Sequence, residues 1–180
     1  MTSNLTTLYH GTDIKKAKQI LEEGLFRGKK AFEHHVHSYV SFSADKLYPC
    51  NFGPVVFKLP NGIANSIEVP YGNSKWFLEN KEITEYIYKR KFENIDFSQI
   101  HDSRENEFIV YNKCAFHLDE IELHLIFDQT KVNAKNTKER AFEAFGHLIE
   151  IHDSSHLLEK NKPELLANFE LVNGKLVQTR

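Results

Sequence analysis

The stretch LYHGTDIKKAKQILEEGL, residues 8–25, decides how the fold is read. Leu8 and Tyr9 form a short apolar strand tip that ends on His10 and breaks at Gly11. Thr12 or Asp13 then offers a side-chain oxygen to cap the unpaired N–H groups at the start of a helix. Within that helix Ile14, Ala17, Ile20 and Leu21 recur at spacings of three and four among lysines and glutamates, and Gly24 closes it. One face is core and the other meets solvent. Packing does not demand a histidine at the strand end, so His10 is a candidate for chemistry. Its imidazole can donate or accept a hydrogen bond to a sugar hydroxyl, and Gly11 lets a flat ligand approach the backbone without a Cβ in the way. The alternative is a partly buried histidine beside a turn glycine.

Downstream, RGKKAFEHHVH (27–37) reads as a polar, basic loop, and SYVSFSADK (38–46) as a strand running into a turn. Val55 to Leu59 is a further strand, stopped by Pro60-Asn61-Gly62, and Ser66 to Val69 another. Ile83, Ile87 and Phe92 among charges predict a surface helix between about Leu78 and Phe92. Glu107 to Tyr111 and Ile121 to Phe127 are β-rich, and their short link through Asn112 and Lys113 predicts antiparallel neighbours, because a parallel crossover needs a longer connection. The tail from about Ala134 to Lys160 reads as helical, with its last dozen residues poorly ordered. The chain is therefore an α+β protein, with its strands concentrated before residue 130.

With 180 residues the chain suits one domain, and 41% hydrophobic against 27% charged residues is the balance of an ordinary globule. A net charge of -2 and a pI near 6.6 supply no overall positive field to gather nucleic acid. The two cysteines, Cys50 and Cys114, sit in unrelated contexts, which argues against a disulfide framework and for a reducing compartment. MTSNLTTLYHGT has neither a basic n-region nor an apolar h-region, and no apolar run is long enough to span a bilayer. A cytoplasmic protein with no membrane partner is expected.

Two further motifs carry functional groups. In YVSFS, alternation sets Ser41 and Ser43 on one face of a strand and Val40 and Phe42 on the other. Paired hydroxyls on one face can hold an amide or a ribose, or face water at a sheet edge. In SRENEFIV, alternation sets Glu105 and Glu107 on one side at the mouth of an apolar strand. A charged pair there needs solvent or a ligand.

Taken in order, these motifs resemble the ADP-ribosyltransferase superfamily, the fold of diphtheria-type and cholera-type toxins and of poly(ADP-ribose) polymerases. LYHGTDIKKAKQILEEGL is similar to its opening strand and helix. VSFSAD with FGPVVFKL (52–59) resembles the second motif, where a Ser-x-Ser strand buttresses the nucleotide pocket. ENEFIV followed by DEIELHLIF (119–127) resembles the third, with the catalytic glutamate last in Glu-x-Glu. The likeness covers roughly residues 7 to 128 of a single domain over 1–180, leaving about 129–180 as a helical C-terminal extension. It combines an opening histidine with a Ser-x-Ser strand, where histidine-bearing members usually carry a tyrosine in the second motif.

The resemblance implies split antiparallel β-sheets with flanking helices, NAD as substrate and no metal. Cleavage of the nicotinamide–ribose bond develops positive charge on the sugar, as in glycoside hydrolysis. Glu107, hydrogen-bonded to the ribose 2′-hydroxyl, would stabilise that charge, and Glu105 would orient or deprotonate the acceptor. Backbone groups of Gly11 would hold the nicotinamide carboxamide and His10 the adenosine ribose. Thr12 and Ser41 would add hydroxyl contacts beside Ser43, with Tyr39 or Phe42 stacking on the pyridine ring. The expected activity is mono-ADP-ribosyl transfer by an intracellular toxin or phage-defence effector, to nucleic acid or protein, with an antitoxin protein as a candidate partner. An NAD glycohydrolase, or an inactive ADP-ribose- or protein-binding module, is the alternative. Arg27, Lys29 and Lys30 beside His34, His35 and His37 form a local basic segment able to meet phosphates. Those three histidines lack an obvious carboxylate or cysteine partner in the sequence, so no metal site is expected there.

Overall fold

The computed structural model describes residues 6–46, 48–100, 107–117, 120–127, 152–153, 168–172 and 175–178. The opening stretch forms β1 (Leu8–Thr12) and α1 (Ile14–Glu23). Asp13 is the N-cap, accepting from the Lys16 N–H at 2.8 Å, and Gly24 closes the helix at φ 62°, a left-handed conformation that glycine adopts without penalty. The strand continues through His10 and Gly11 to Thr12, so the glycine does not break it.

The chain goes on through β2 (Leu25–Arg27), β3 (Tyr39–Ser43), β4 (Val55–Leu59), β5 (Ile67–Val69), α2 (Ser74–Glu79) and α3 (Lys81–Tyr88). Next come β6 (Glu107–Tyr111), β7 (Lys113–Ala115), β8 (Glu122–Phe127), β9 (His152–Asp153), β10 (Asn168–Val172) and β11 (Lys175–Gln178). Among the described residues, nine strands make one largely antiparallel sheet in the order β11-β10-β8-β4-β1-β3-β6-β5, with β9 parallel to β8, while β2 and β7 pair separately. Over the described residues the architecture is α+β with few helices.

Three sequence expectations are corrected. Glu107–Tyr111 and Glu122–Phe127 are not neighbours, since β6 lies between β3 and β5 while β8 lies between β4 and β10. Asn112 sits at φ 61° and turns the chain into β7, which pairs with β2 and carries the backbone out of β6's edge before β8 begins. The expected helical tail is in part β-structure, because β10 pairs with β8 and β11 with β10. The strands therefore extend past residue 130, and most of the helix expected at 134–160 falls outside the described residues. The helix expected at 78–92 is two helices meeting at Asn80. Ile83, Thr84, Glu85 and Ile87 of α3 are buried, so it is a core element rather than a surface one.

Two apolar clusters explain the layering. On one face α1, β2 and β7 cover the sheet, packing Ile14, Ala17, Phe26 and Cys114 against Phe42, Val55 and Phe57. On the other face α2 and α3 pack Phe77, Ile83 and Ile87 against Tyr39, Val69 and Ile109. Burying each large apolar side chain stabilises by roughly 1.5–3 kcal/mol. Strict alternation assigns Tyr39 to one layer and Val40 and Phe42 to the other. Among the described residues no helix is long and apolar enough to cross a membrane.

Candidate functional site

The sheet parts between two neighbouring strands, β1 and β3. β1 pairs with β4 along its whole length, from Leu8 opposite Leu59 to Thr12 opposite Val55, but meets β3 in register only at Tyr9 and Ser43. Beyond Tyr9 the strands diverge, and a cleft of about 1180 Å³ opens where they part. Ligand pockets run to about 300–1,000 Å³, so this space accommodates a large ligand.

His10 spans the parting. Its Nδ1 lies 2.9 Å from the Ser41 carbonyl, and because a carbonyl only accepts, Nδ1 carries the proton. The ring is packed against Phe26 and Phe42, with centroids at 5.0 and 5.5 Å. Burial pushes its pKa below the ordinary histidine value, against the raising effect of the Ser41 bond. At neutral pH the ring is therefore neutral, and Nε2 is left as a hydrogen-bond acceptor.

Gly11 has a steric reason besides the one its sequence suggests. A Cβ there would lie 1.8 Å from the Pro49 carbonyl oxygen. The 3₁₀ turn Tyr48–Phe52 rests directly on β1, and Gly53 makes the reciprocal close approach to Thr12. The glycine admits the protein's own backbone. Tyr48 and Phe52 remain exposed at the cleft rim.

The opposite wall is polar. Glu107 opens β6, in register with Ser43 on β3 and Val69 on β5. Its Oε1 accepts from the Ser41 hydroxyl at 2.5 Å, and its Oε2 accepts from the Tyr71 hydroxyl. Tyr86 of α3 faces the same space. Burial and the nearby Glu107 carboxylate push its pKa up to about 12, against the lowering effect of Ser41, so it stays protonated. The Lys89 ammonium sits 3.6 Å from the centre of the Tyr86 ring. The wall thus presents one carboxylate among three hydroxyls with a cation alongside, an arrangement suited to a polyhydroxyl ligand that gains positive charge.

The other expected residues land as follows. Thr12 is buried and lines the cleft. The Ser43 hydroxyl accepts from the Asp45 N–H in the turn after β3, so it serves the backbone. Phe42 is 2% exposed within the apolar layer, and Tyr39, also 2% exposed, stacks on Tyr86 at 4.6 Å. Neither ring presents an open face for stacking. Glu105 lies outside the described residues. The basic segment is dispersed, since Arg27 pairs with Glu23, His34 and His35 reach Glu85, and His37 packs on Tyr111. Lys29 and Lys30 are exposed, and Lys29 lines the cleft.

Tyr71 and Tyr86 were not visible as site residues in the sequence. The only local hint is that each lies close to an element boundary, Tyr71 just after β5 and Tyr86 near the end of α3. Compared with known proteins, the chain matches no family model, no curated protein and no solved structure at a significant level.

Proposed function

We propose that this chain is an NAD-dependent mono-ADP-ribosyltransferase with the fold of that superfamily, acting on a macromolecular acceptor with release of nicotinamide. The observation that carries the reading is the Glu107 carboxylate, held by the Ser41 and Tyr71 hydroxyls in a cleft whose far wall is the neutral His10 ring. Each carboxylate oxygen has a second acceptor position, so Glu107 keeps capacity for a ribose hydroxyl while its orientation is fixed. As the nicotinamide–ribose bond breaks, the electron pair leaves with nicotinamide and the sugar becomes cationic. A carboxylate already aimed and hydrogen-bonded stabilises that charge without reorganising.

His10, as a neutral ring with Nε2 accepting, suits a ribose hydroxyl donor rather than a phosphate, which offers no proton at neutral pH. Tyr86 and Tyr71 supply, from α3 and from the turn after β5, the tyrosines that histidine-bearing members usually carry in the second motif. Lys89 and Lys29 offer positive charge for a pyrophosphate at the cleft edge. The acceptor is nucleic acid or protein, and a toxin or phage-defence role in the cytoplasm fits a chain that consumes NAD.

The test is incubation with NAD labelled on the adenylate, alone and with cell extract. Nicotinamide release with label on a macromolecule, abolished by Glu107→Gln, is the expected result. Free ADP-ribose without a labelled macromolecule would make the chain a glycohydrolase. NAD left intact over hours despite binding would sink the enzymatic reading in favour of a binding module.

A further inference from the structure

Away from the residues that line the cleft, the loop that follows β2 folds back onto α3 so that two histidines meet one glutamate. His34 Nε2 and His35 Nε2 each lie 2.8 Å from the same Glu85 oxygen, Oε2. The residues stand 51 and 50 positions apart in sequence, so the tertiary fold alone brings them together. The carboxylate partner that the sequence lacked for these histidines comes from α3.

We propose that His34, His35 and Glu85 form a zinc-type site that fastens the 28–38 loop to α3. Two imidazole nitrogens and one carboxylate oxygen make the donor set that suits Zn²⁺ and its late first-row neighbours, and it is a poor set for Mg²⁺ or Ca²⁺, which take oxygen ligands. The three ligand atoms lie within 4.8 Å of one another. Opening each 2.8 Å contact by roughly 0.5 Å admits a cation with bonds of about 2.0–2.1 Å. His34 can make that movement, since its side chain is 55% exposed while those of Glu85 and His35 are buried. Its exposure also leaves a fourth position open to water.

The ligands are held from behind. Glu85 Oε1 accepts from the Phe92 N–H at 2.7 Å, which turns Oε2 toward the histidines. Phe32 stacks flat on His34 and meets His35 edge-on, fixing both ring planes. One support is missing. His35 Nδ1 is buried with no hydrogen-bond partner, and it would carry the proton once Nε2 binds a cation. An incomplete outer shell lowers affinity by about 10–100-fold relative to a fully supported site.

The site braces the cleft from outside. His35 lies edge-on to Tyr39, Tyr39 stacks on Tyr86, and Tyr86 lines the cleft. Fastening the loop to α3 therefore steadies the Tyr86 wall without placing a metal in the cleft.

The experiment is metal analysis of the untagged full chain, followed by titration of chelator-treated protein with Zn²⁺ against a chromophoric competitor and with Co²⁺ by visible absorption. One equivalent of Zn²⁺ should bind per chain, Co²⁺ should give the intense bands of four-coordination, and Zn²⁺ should raise the melting temperature. His34→Ala should stay folded by circular dichroism, bind Zn²⁺ at least about tenfold more weakly and lose the thermal shift. Glu85→Gln, which keeps the shape and the Phe92 contact, should lose binding as well. If the titrations of wild type and His34→Ala coincide, or if Zn²⁺ leaves the melting temperature unmoved, the cluster is a hydrogen-bonded staple only and the proposal is overturned.

Discussion

The two walls of the cleft hold their functional groups by opposite means. On the β1 side His10 is wedged between Phe26 and Phe42, and a carbonyl from the 3₁₀ turn presses on Gly11. On the β6 side Glu107 is held by hydroxyls of Ser41 and Tyr71 from two other elements. One wall is held mainly by packed rings and close backbone, with one hydrogen bond from His10 to the Ser41 carbonyl, and the other mainly by side-chain hydroxyls. A change in the first should therefore appear mainly as lost stability, and a change in the second mainly as lost rate in a protein that still folds.

The sharpest break of that contrast is Glu107→Gln. The amide preserves volume and one acceptor but removes the charge, so nicotinamide release should fall by at least about 100-fold while the urea midpoint stays near wild type. Gly11→Ala tests the other wall. Its Cβ meets backbone at 1.8 Å, and the strain should cost about 3 kcal/mol in urea unfolding. A variant as stable as wild type would show that the turn gives way easily, and Gly11 would again be explained by ligand approach.

A finer test separates the two hydroxyls. Ser41→Ala and Tyr71→Phe each remove one bond to Glu107, and each should slow turnover by about tenfold, equivalent to about 1.4 kcal/mol of the barrier. Melting temperatures should barely move. If Tyr71→Phe alone has no effect, the carboxylate is positioned from β3 and the turn after β5 is only a wall.

The smallest effect is the pH dependence of stability. Burial depresses the pKa of both His10 and His124 in the folded chain from the ordinary 6.5. Below that value the unfolded chain takes up protons first, so the stabilisation present above 6.5 is lost as pH falls toward the folded values. The groups facing His10 are Ser41 and the more distant Lys16, and those facing His124 are Glu122, Lys58 and Lys46. Urea midpoints measured from about pH 7.5 to 5 should decline, and His10→Gln should flatten part of the decline. An unchanged slope in that variant would mean His10 is hydrated.

Local signals were legible where a single element decides the outcome. The α1 pattern with Asp13 and Gly24 is visible because caps and amphipathic spacing act within one turn. Val55–Leu59 was readable to the residue, since a β-branched run ends at a proline-glycine turn. The relation of Glu107–Tyr111 to Glu122–Phe127 was not, because loop length constrains the direction of a connection but not which edge a strand seeks. Ser41 stood out by alternation, whereas Tyr71 reaches Glu107, and Tyr86 the cleft beside it, from elements whose packing no local pattern announces.

By itself, then, the sequence determined the α+β class, the opening strand and helix, and the candidates His10, Ser41 and Glu107, because these rest on period, capping and residue chemistry over a few positions. Only the tertiary structure decided that β1 and β3 part after Tyr9, that Gly11 makes room for Pro49, and that Glu85 meets His34 and His35. The reason is distance along the chain. Each of those contacts joins segments whose meeting depends on how whole layers stack, and stacking is settled by the summed burial of both cores rather than by any one stretch of sequence.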